Sequence, residues 1–262
     1  MELSAVLITY NAQKYLSLVL ESLEEVADEV VIVDSGSTDK TKEIALSFSK
    51  VRWYEQPFMG YGKQKNYANS LAQGEYILSV DADEVLSPAL RTSICREKGH
   101  WRAEAYQFLR VAVYCGQFIR AGDWYPDWKI RLFRRVIARW SEDPVHERII
   151  LPPRTRVESL EGELWHYAYE TPEENLFRGS RYAWLYARHM HLQNWKPRWV
   201  PALVRAGARF VKSILLRGGW RLGWRGISIA FIGAIVYILR EIYLAYLHEQ
   251  HHSNPLPPST DP

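Results

Sequence analysis

Two apolar runs in this chain end in the same way, and that ending limits the folds open to it. Glu29-Val30-Val31-Ile32-Val33-Asp34 and Tyr76-Ile77-Leu78-Ser79-Val80-Asp81 are nearly unbroken hydrophobic segments that stop at a carboxylate. A strand with one wet face alternates apolar and polar residues, so a run without alternation belongs in a parallel sheet covered on both faces. Residues 3–10 read as a further strand, and 51–54 as a short one. Between them lie helical patterns: Leu16, Leu20 and Leu23 after a cap at Asn11, then 41–49 after the turn Ser35-Gly36-Ser37-Thr38-Asp39. A Gly-containing loop running into a helix follows over 60–73, closed by Gly74. Strand–helix alternation predicts βαβ units, hence an α/β fold with a mostly parallel central sheet and helices on both faces. Ligands of such sheets bind beyond the carboxyl ends of the strands, where Asn11, Asp34, Asp81 and Asp83 all fall.

Asp81-Ala82-Asp83-Glu84 carries the chemistry. Residues i and i+2 of an extended segment point the same way, so the Asp81 and Asp83 carboxylates are expected to face one ligand. Two close carboxylates repel unless a cation lies between them. Hard oxygens beside a phosphate suit Mg²⁺ or Mn²⁺.

Beyond Pro88 the pattern changes. Residues 105–114, 129–133 and 149–151 read as strands, so 101–167 is expected to be the mixed second half of the same domain, where an acceptor would sit. A helical region starts with Thr171 as cap and Pro172 at the first helical position. Trp199, Val200, Leu203, Val204, Gly207, Phe210, Val211, Ile214 and Leu215 recur at helical spacing, with Arg205, Arg209 and Lys212 between them. From Asn175 to Arg240 there is no Asp or Glu, while twelve Lys and Arg fall inside. An anionic partner is expected there, and a basic amphipathic helix suits an anionic membrane surface. The apolar run 227–239 falls short of the roughly 20 residues of a spanning helix, which leaves interfacial insertion and packing on the domain both open. Nucleic acid is argued against by the interleaved apolar faces and the lack of a recognition motif. The expected organisation is a catalytic domain over 1–170 (a nucleotide half 1–90, an acceptor half 91–170), a basic helical region 171–249 and a disordered tail 250–262.

Hydrophobic residues make up 47% of the chain, enough for a large core, and eleven Trp with sixteen Tyr suit sugar stacking or a membrane interface. Cys95 and Cys115 have no metal-ligand spacing and offer no disulfide framework. Met1-Glu2-Leu3-Ser4 is not a basic region ahead of a long apolar core. The cytoplasm is therefore the expected compartment, with the chain peripheral on the inner face of the inner membrane.

Ala5-Val6-Leu7-Ile8-Thr9-Tyr10-Asn11, Val31-Ile32-Val33-Asp34-Ser35-Gly36-Ser37-Thr38-Asp39 and Asp81-Ala82-Asp83, in that order and spacing, resemble the family 2 inverting glycosyltransferases of the Rossmann-like GT-A fold. Trp128-Lys129-Ile130-Arg131-Leu132-Phe133, Val145-His146-Glu147 and Trp165-His166-Tyr167 resemble a narrower group, the lipopolysaccharide core β-1,4-glucosyltransferases. The resemblance implies a UDP-sugar donor, with UDP-glucose expected. It also implies a lipid-linked saccharide acceptor, an inner-core heptose of lipopolysaccharide. Thr9, Tyr10, Asn11, Asp34, Lys63, Lys65, Asn66, Asp81 and Ala82 would contact the donor, with Asp34 accepting from the uracil or ribose. Asp83 would bind the metal directly, Asp81 the ribose and, through water, the metal; His166 would be a late metal ligand.

An inverting transfer needs a carboxylate to take the acceptor proton. Relatives carry a Glu-Asp pair for this, and here the only candidate pair, Glu142-Asp143, directly precedes Pro144. Glu147 is the first choice of base, Asp127 the second and Asp123 the third; pairing of Glu147 with Arg148 or Arg131 is its structural alternative. Trp124, Tyr125 and Trp128 are expected to form an aromatic floor under the sugars, with Arg131, Arg134 and His146 contacting acceptor or phosphates. Two other functions stay open: the same donor with a polyprenyl-linked, capsule, O-antigen or peptide acceptor, and a catalytically silent nucleotide-sugar-binding protein.

Overall fold

A computed structural model describes residues 1–142 and 147–253. The chain forms two compact units. The first comprises Met1–Ala112 and Pro126–Ala168, the second Val113–Tyr125 and the chain from Tyr169 onward. The expected boundary at 170 falls beside the observed one, but the 113–125 excursion into the second unit has no counterpart in the sequence reading.

The first unit begins with β1 (Leu3–Thr9), α1 (Leu16–Leu23), β2 (Glu29–Asp34), α2 (Thr41–Leu46), β3 (Val51–Glu55), α3 (Tyr61–Leu71) and β4 (Tyr76–Ser79). The chain continues through β5 (Glu84–Leu86), α4 (Pro88–Glu97), β6 (Ala105–Tyr114), β7 (Gln117–Phe118, which belongs to the second unit), β8 (Asp127–Arg134), β9 (Arg139–Trp140), β10 (Ile149–Ile150) and β11 (Val157–Tyr169). Among the described residues the main sheet runs β3-β2-β1-β4-β8-β6-β11-β5. The β1–β2, β2–β3 and β1–β4 pairs are parallel, whereas β4–β8, β6–β8 and β5–β11 are antiparallel. The unbroken apolar strands are explained by two cores. Leu3, Leu7, Val30, Ile32 and Leu78 pack on α1, while Val6, Val31, Val33 and Ile77 pack on Ala68 and Ala72 at α3. Alternate residues of one strand thus serve opposite layers.

Three local expectations change. Asn11 is not the cap of α1, which starts four residues later from Tyr15; Asn11 sits at a φ of 49° and its side chain accepts the Thr38 amide instead. The residues after Pro88 form a helix, α4, started by the Ser87 hydroxyl accepting the Leu90 amide. The sequence past 151 supplies the long strand β11, without which β5 would have no partner.

In the second unit, α5 (Pro172–Leu192) starts as read, with Thr171 accepting the Glu174 amide; α6 (Trp199–Val211) and α7 (Trp224–Ser253) follow. Helix α7 is far longer than the 227–239 run suggests: Trp224–Gln250 is long and apolar enough to cross a membrane by length and composition. The helical backbone also continues through Ser253, past the expected start of the tail at 250. Residues 254–262 lie outside the described residues, as do Asp143 and His146, so the acceptor role expected of His146 is not described.

Candidate active site

The site is built where β4 stops. Asp81 lies two residues past the end of that strand, and the chain turns there, the Glu84 amide donating to the Asp81 carbonyl at 3.0 Å. The two aspartates therefore do not lie on one extended segment, and their side chains make different contacts. Asp81 points into a cluster of cations. One of its oxygens accepts from Lys65 Nζ at 2.9 Å and the other from Arg131 Nη2 at 2.7 Å. Burial pushes the Asp81 carboxyl up, but Arg131 and Lys65 outweigh it and hold the group well below the usual carboxylate range. Burial likewise lowers Arg131, and Asp81 and Glu84 more than reverse that, so the guanidinium is held charged.

Glu84 is the buried hub of the cluster. Its side chain is fully enclosed; one oxygen accepts from Arg131 at 2.9 Å and Arg110 at 3.2 Å, the other from the Asp81 amide at 3.0 Å. Arg110 also grips Asp127 at 2.8 Å, and Lys129 reaches the second oxygen of Asp127 at 2.9 Å. Lys65 joins Asp81 to Glu147, 3.0 Å away. Glu147 thus pairs with neither Arg148 nor Arg131. The Trp140 ring lies under both cations, with Lys65 Nζ 4.3 Å and the Arg131 guanidinium 5.4 Å from its centroid. The sequence reading did not assign Glu84, Arg110 or Trp140; only the adjacency of Glu84 to Asp83 hinted at one of them.

Asp83 stands apart from this network. His166 on β11 pairs in register with Glu84 on β5, and the Tyr167 amide donates to the Asp83 carbonyl. His166 Nε2 consequently lies 3.6 Å from an Asp83 oxygen, both side chains partly open to solvent. Among the described residues no lysine or arginine pairs with Asp83, and no group of three or more His, Cys, Asp and Glu is poised around one metal position. One carboxylate and one imidazole fit a divalent cation that takes its remaining ligands from phosphate and water. Asp81, with both oxygens engaged by cations, does not offer a free ligand in this state.

The expected donor residues divide. The Asp34 carboxylate is filled by the chain itself: Thr9 and Ser37 hydroxyls at 2.8 and 2.6 Å, and Gly36 and Ser37 amides at 2.9 and 2.7 Å. A carboxylate offers about four lone-pair sites, and these four donors take them up, so Asp34 and Thr9 shape the loop. Asn66 is likewise occupied, donating to the Trp140 carbonyl at 3.0 Å and accepting its amide at 2.8 Å. Its role is to tie α3 to β9. Lys63 is exposed and 3.9 Å from Glu142, Tyr10 presents an exposed ring, Asn11 is exposed with its amide donating to the Ser37 hydroxyl at 2.8 Å, and Ala82 is half-buried in the turn. These remain available to a ligand.

The aromatic residues expected to form a floor fall in different units. Trp128 pairs with Leu109, one residue along from the Asp127–Arg110 pair, and so points to the opposite face of the sheet. There it lines an open groove of about 790 Å³ with Leu109 and Trp165. Trp124 and Tyr125 belong to the second unit, where Trp124 packs on Tyr114 and Tyr169 at centroid distances of 5.4 and 5.7 Å. Asp123, the third candidate base, is a counter-ion of that unit, held by Arg209 at 2.6 Å and Arg217 at 3.1 Å. Arg134, the last residue of β8, reaches Glu75 at 3.2 Å, both exposed.

The profile of glycosyl transferase family 2 matches residues 4–146, more than half of the chain. The chain belongs to this family. It is a glycosyltransferase of the GT-A type, as the motifs at 5–11, 31–39 and 81–83 imply. It is 30% identical over 261 residues to the lipopolysaccharide core biosynthesis glycosyltransferase LpsC of Rhizobium meliloti, covering 95% of this chain and 93% of that one. An uncharacterized glycosyltransferase of Rickettsia bellii is 27% identical over 259 residues, covering 95% and 86%. Among solved structures, residues 1–349 of TarS from S. aureus with UDP-GlcNAc give a TM-score of 0.47 at 17% identity, over 97% of this chain and 92% of that one.

Proposed function

We propose that this glycosyltransferase moves a hexose, glucose from UDP-glucose, onto an inner-core heptose of lipopolysaccharide at the cytoplasmic face of the membrane. The observation that carries the donor half is the Asp83–His166 pair beside the Lys65–Asp81–Arg131 cluster at the carboxyl end of β4. Its relatedness to LpsC over nearly the whole of both chains supports the acceptor class.

The residues divide the work by charge. Asp83 and His166 would hold Mg²⁺ or Mn²⁺, which when bound neutralises the departing diphosphate. Lys65 and Arg131 are positive donors already desolvated against Trp140, so they cost little reorganisation when phosphate charge develops beside them. Glu147 is the base: a partly exposed carboxylate, linked to Asp81 through Lys65 and held by a single cation. Asp127 is less suited, since Arg110 and Lys129 between them occupy both of its oxygens. Taking the acceptor hydroxyl proton while the C–O bond to UDP breaks on the opposite side inverts the anomeric carbon.

UDP release from a panel of UDP-sugars, with Mg²⁺ or Mn²⁺ and with or without heptose-bearing truncated lipopolysaccharide, tests the proposal. Acceptor-dependent release from UDP-glucose, lost in Asp83→Ala and reduced at least about 100-fold in Glu147→Gln, is the expected result. Release with another sugar or acceptor lipid corrects the specificity. No binding of any UDP-sugar overturns the reading.

A further inference from the structure

The rotation of α6 within the second unit is pinned by three contacts. The Arg198 amide donates to Glu241 on α7 at 2.9 Å, Arg209 lies between Asp123 and the Tyr237 ring, and Ala202, Ala206 and Ser213 are buried. These residues mark one face of the helix. The opposite face carries Val200, Val204, Gly207 and Val211, spaced four, three and four residues apart, and Leu215 follows in the π-helical turn Lys212–Leu216; all of them are exposed. A helix in a soluble protein turns its apolar stripe inward; this one packs small residues inward and turns its branched aliphatics out. Arg205, at the border of the packed face, and Lys212, at the C-terminal cap of α6, are both exposed.

We propose that this stripe is a membrane-docking face, with α6 lying flat in the headgroup region of an anionic bilayer. Charge complementarity selects the occupant. The stripe lies within the segment from Asn175 to Arg240, which has no acid to repel anionic lipid; Arg205 and Lys212 are exposed, as is Arg221, whose guanidinium lies 5.6 Å from the Trp220 ring centroid. Exposed indoles flank the stripe in sequence, Trp195 and Trp199 before it and Trp220 and Trp224 after it, the residue type favoured at the membrane–water boundary.

The same unit argues against α7 crossing the membrane. Along its length α7 packs on α5: Gly179 against Val236, Ser180 bonded to Tyr243, and Ala187 and Met190 against Leu244. Helix α5 bears Glu173, Glu174, Arg178, Arg181 and Arg188, and α7 itself carries Arg240 and Glu241 at its middle. Spanning would draw these charges into hydrocarbon or strip α7 from its partner. Flat docking through α6 requires neither.

The test uses the full chain with vesicles containing phosphatidylglycerol, or phosphatidylcholine alone, separated by flotation. The protein is expected to float with the anionic vesicles and to bind them roughly tenfold less tightly in high salt. Joint substitution Val204→Glu and Leu215→Glu should abolish flotation while leaving the thermal melt and UDP binding unchanged, because both positions face solvent. Arg205→Gln with Lys212→Gln should remove the preference for anionic lipid. Three results overturn the proposal: no flotation of the native chain, unchanged flotation of the glutamate variant, or retention on membranes through alkaline carbonate washing, which marks a spanning helix. A native dimer without lipid that the glutamate pair dissociates would also overturn it, assigning the stripe to a second copy.

Discussion

Replacing Glu84 by glutamine alters one atom at the centre of the site. The carboxylate is fully enclosed and serves three donors: Arg131 and Arg110 at one oxygen, the Asp81 amide at the other. Glutamine keeps the shape, but one oxygen becomes an NH₂. If the remaining oxygen faces the arginines, the new NH₂ meets the Asp81 N–H, donor against donor. If it faces Asp81, the NH₂ meets two guanidinium groups. Either arrangement leaves a buried donor unpaired, and the cluster loses one negative charge between two arginines. Removing one partner of a buried ion pair costs about 3–5 kcal/mol, and the retained hydrogen bond brings the expected loss to about 3 kcal/mol. For a protein of this size that corresponds to a fall of roughly 6–12 °C in the melting transition of the first unit. The assay is calorimetry of Glu84→Gln beside Glu158→Gln, whose charge pairs with Arg156 near the surface and should matter by less than about 0.5 kcal/mol. UDP binding, measured in parallel, should weaken as Arg131 and Asp81 lose their common anchor. A Glu84→Gln protein that melts within about 2 °C of the control would refute the reasoning, because the arginines would then not depend on that charge.

Acid stability offers an independent check at Asp28. Burial raises this carboxyl, but the Lys98 ammonium and the Glu2 and Leu3 amides outweigh it and hold it at about 2. A folded-state value below the unfolded one stabilises the native chain above about pH 4, and that contribution is lost as pH falls toward 2. Discounted for its partial exposure, it is worth about 1 kcal/mol, so Asp28→Asn should melt lower at pH 7 and converge with the native chain near pH 2. Asn66→Ala leaves the Trp140 amide and carbonyl without partners and should cost about 1–3 kcal/mol, read as faster hydrogen exchange at Trp140. Gly62→Ala places a Cβ 1.9 Å from the Ser141 carbonyl oxygen, where backbone must move; reduced UDP binding with a lowered melt is expected, and a native-like melt would contradict it.

The nucleotide half was legible because its signals are local. An apolar run ending at Asp34 or Asp81 tells of a covered parallel strand and of which end meets ligand. The partners of those aspartates were not legible. Lys65, Arg131 and Glu84 converge only through the β4–β8 register and the turn after Asp81, and nothing in the spacing distinguishes the buried Lys65 from the exposed Lys63. Asn66 shows the same limit. The resemblance put it in a donor-contacting loop, whereas it lies in α3, and its two bonds to Trp140 bridge residues far apart in sequence. Trp128 was misplaced for a simpler reason: strand parity sends it to the face opposite Asp127, and parity relative to a ligand cannot be read before the neighbouring strands are known.

The pairing of β5 with β11 has a consequence for how the enzyme is made. Strands β1 to β4 are joined by short crossovers, so the nucleotide half can begin to pair while the chain is still emerging from the ribosome. Strand β5, by contrast, finds its neighbour only when Leu164, Trp165 and His166 have been synthesised. At ordinary elongation rates the stretch from Leu86 to His166 takes roughly 4–16 s to appear. Throughout that interval Asp83 has no imidazole beside it. The nascent protein therefore gains its Asp83–His166 pair late, after the parallel strands β1 to β4 are complete.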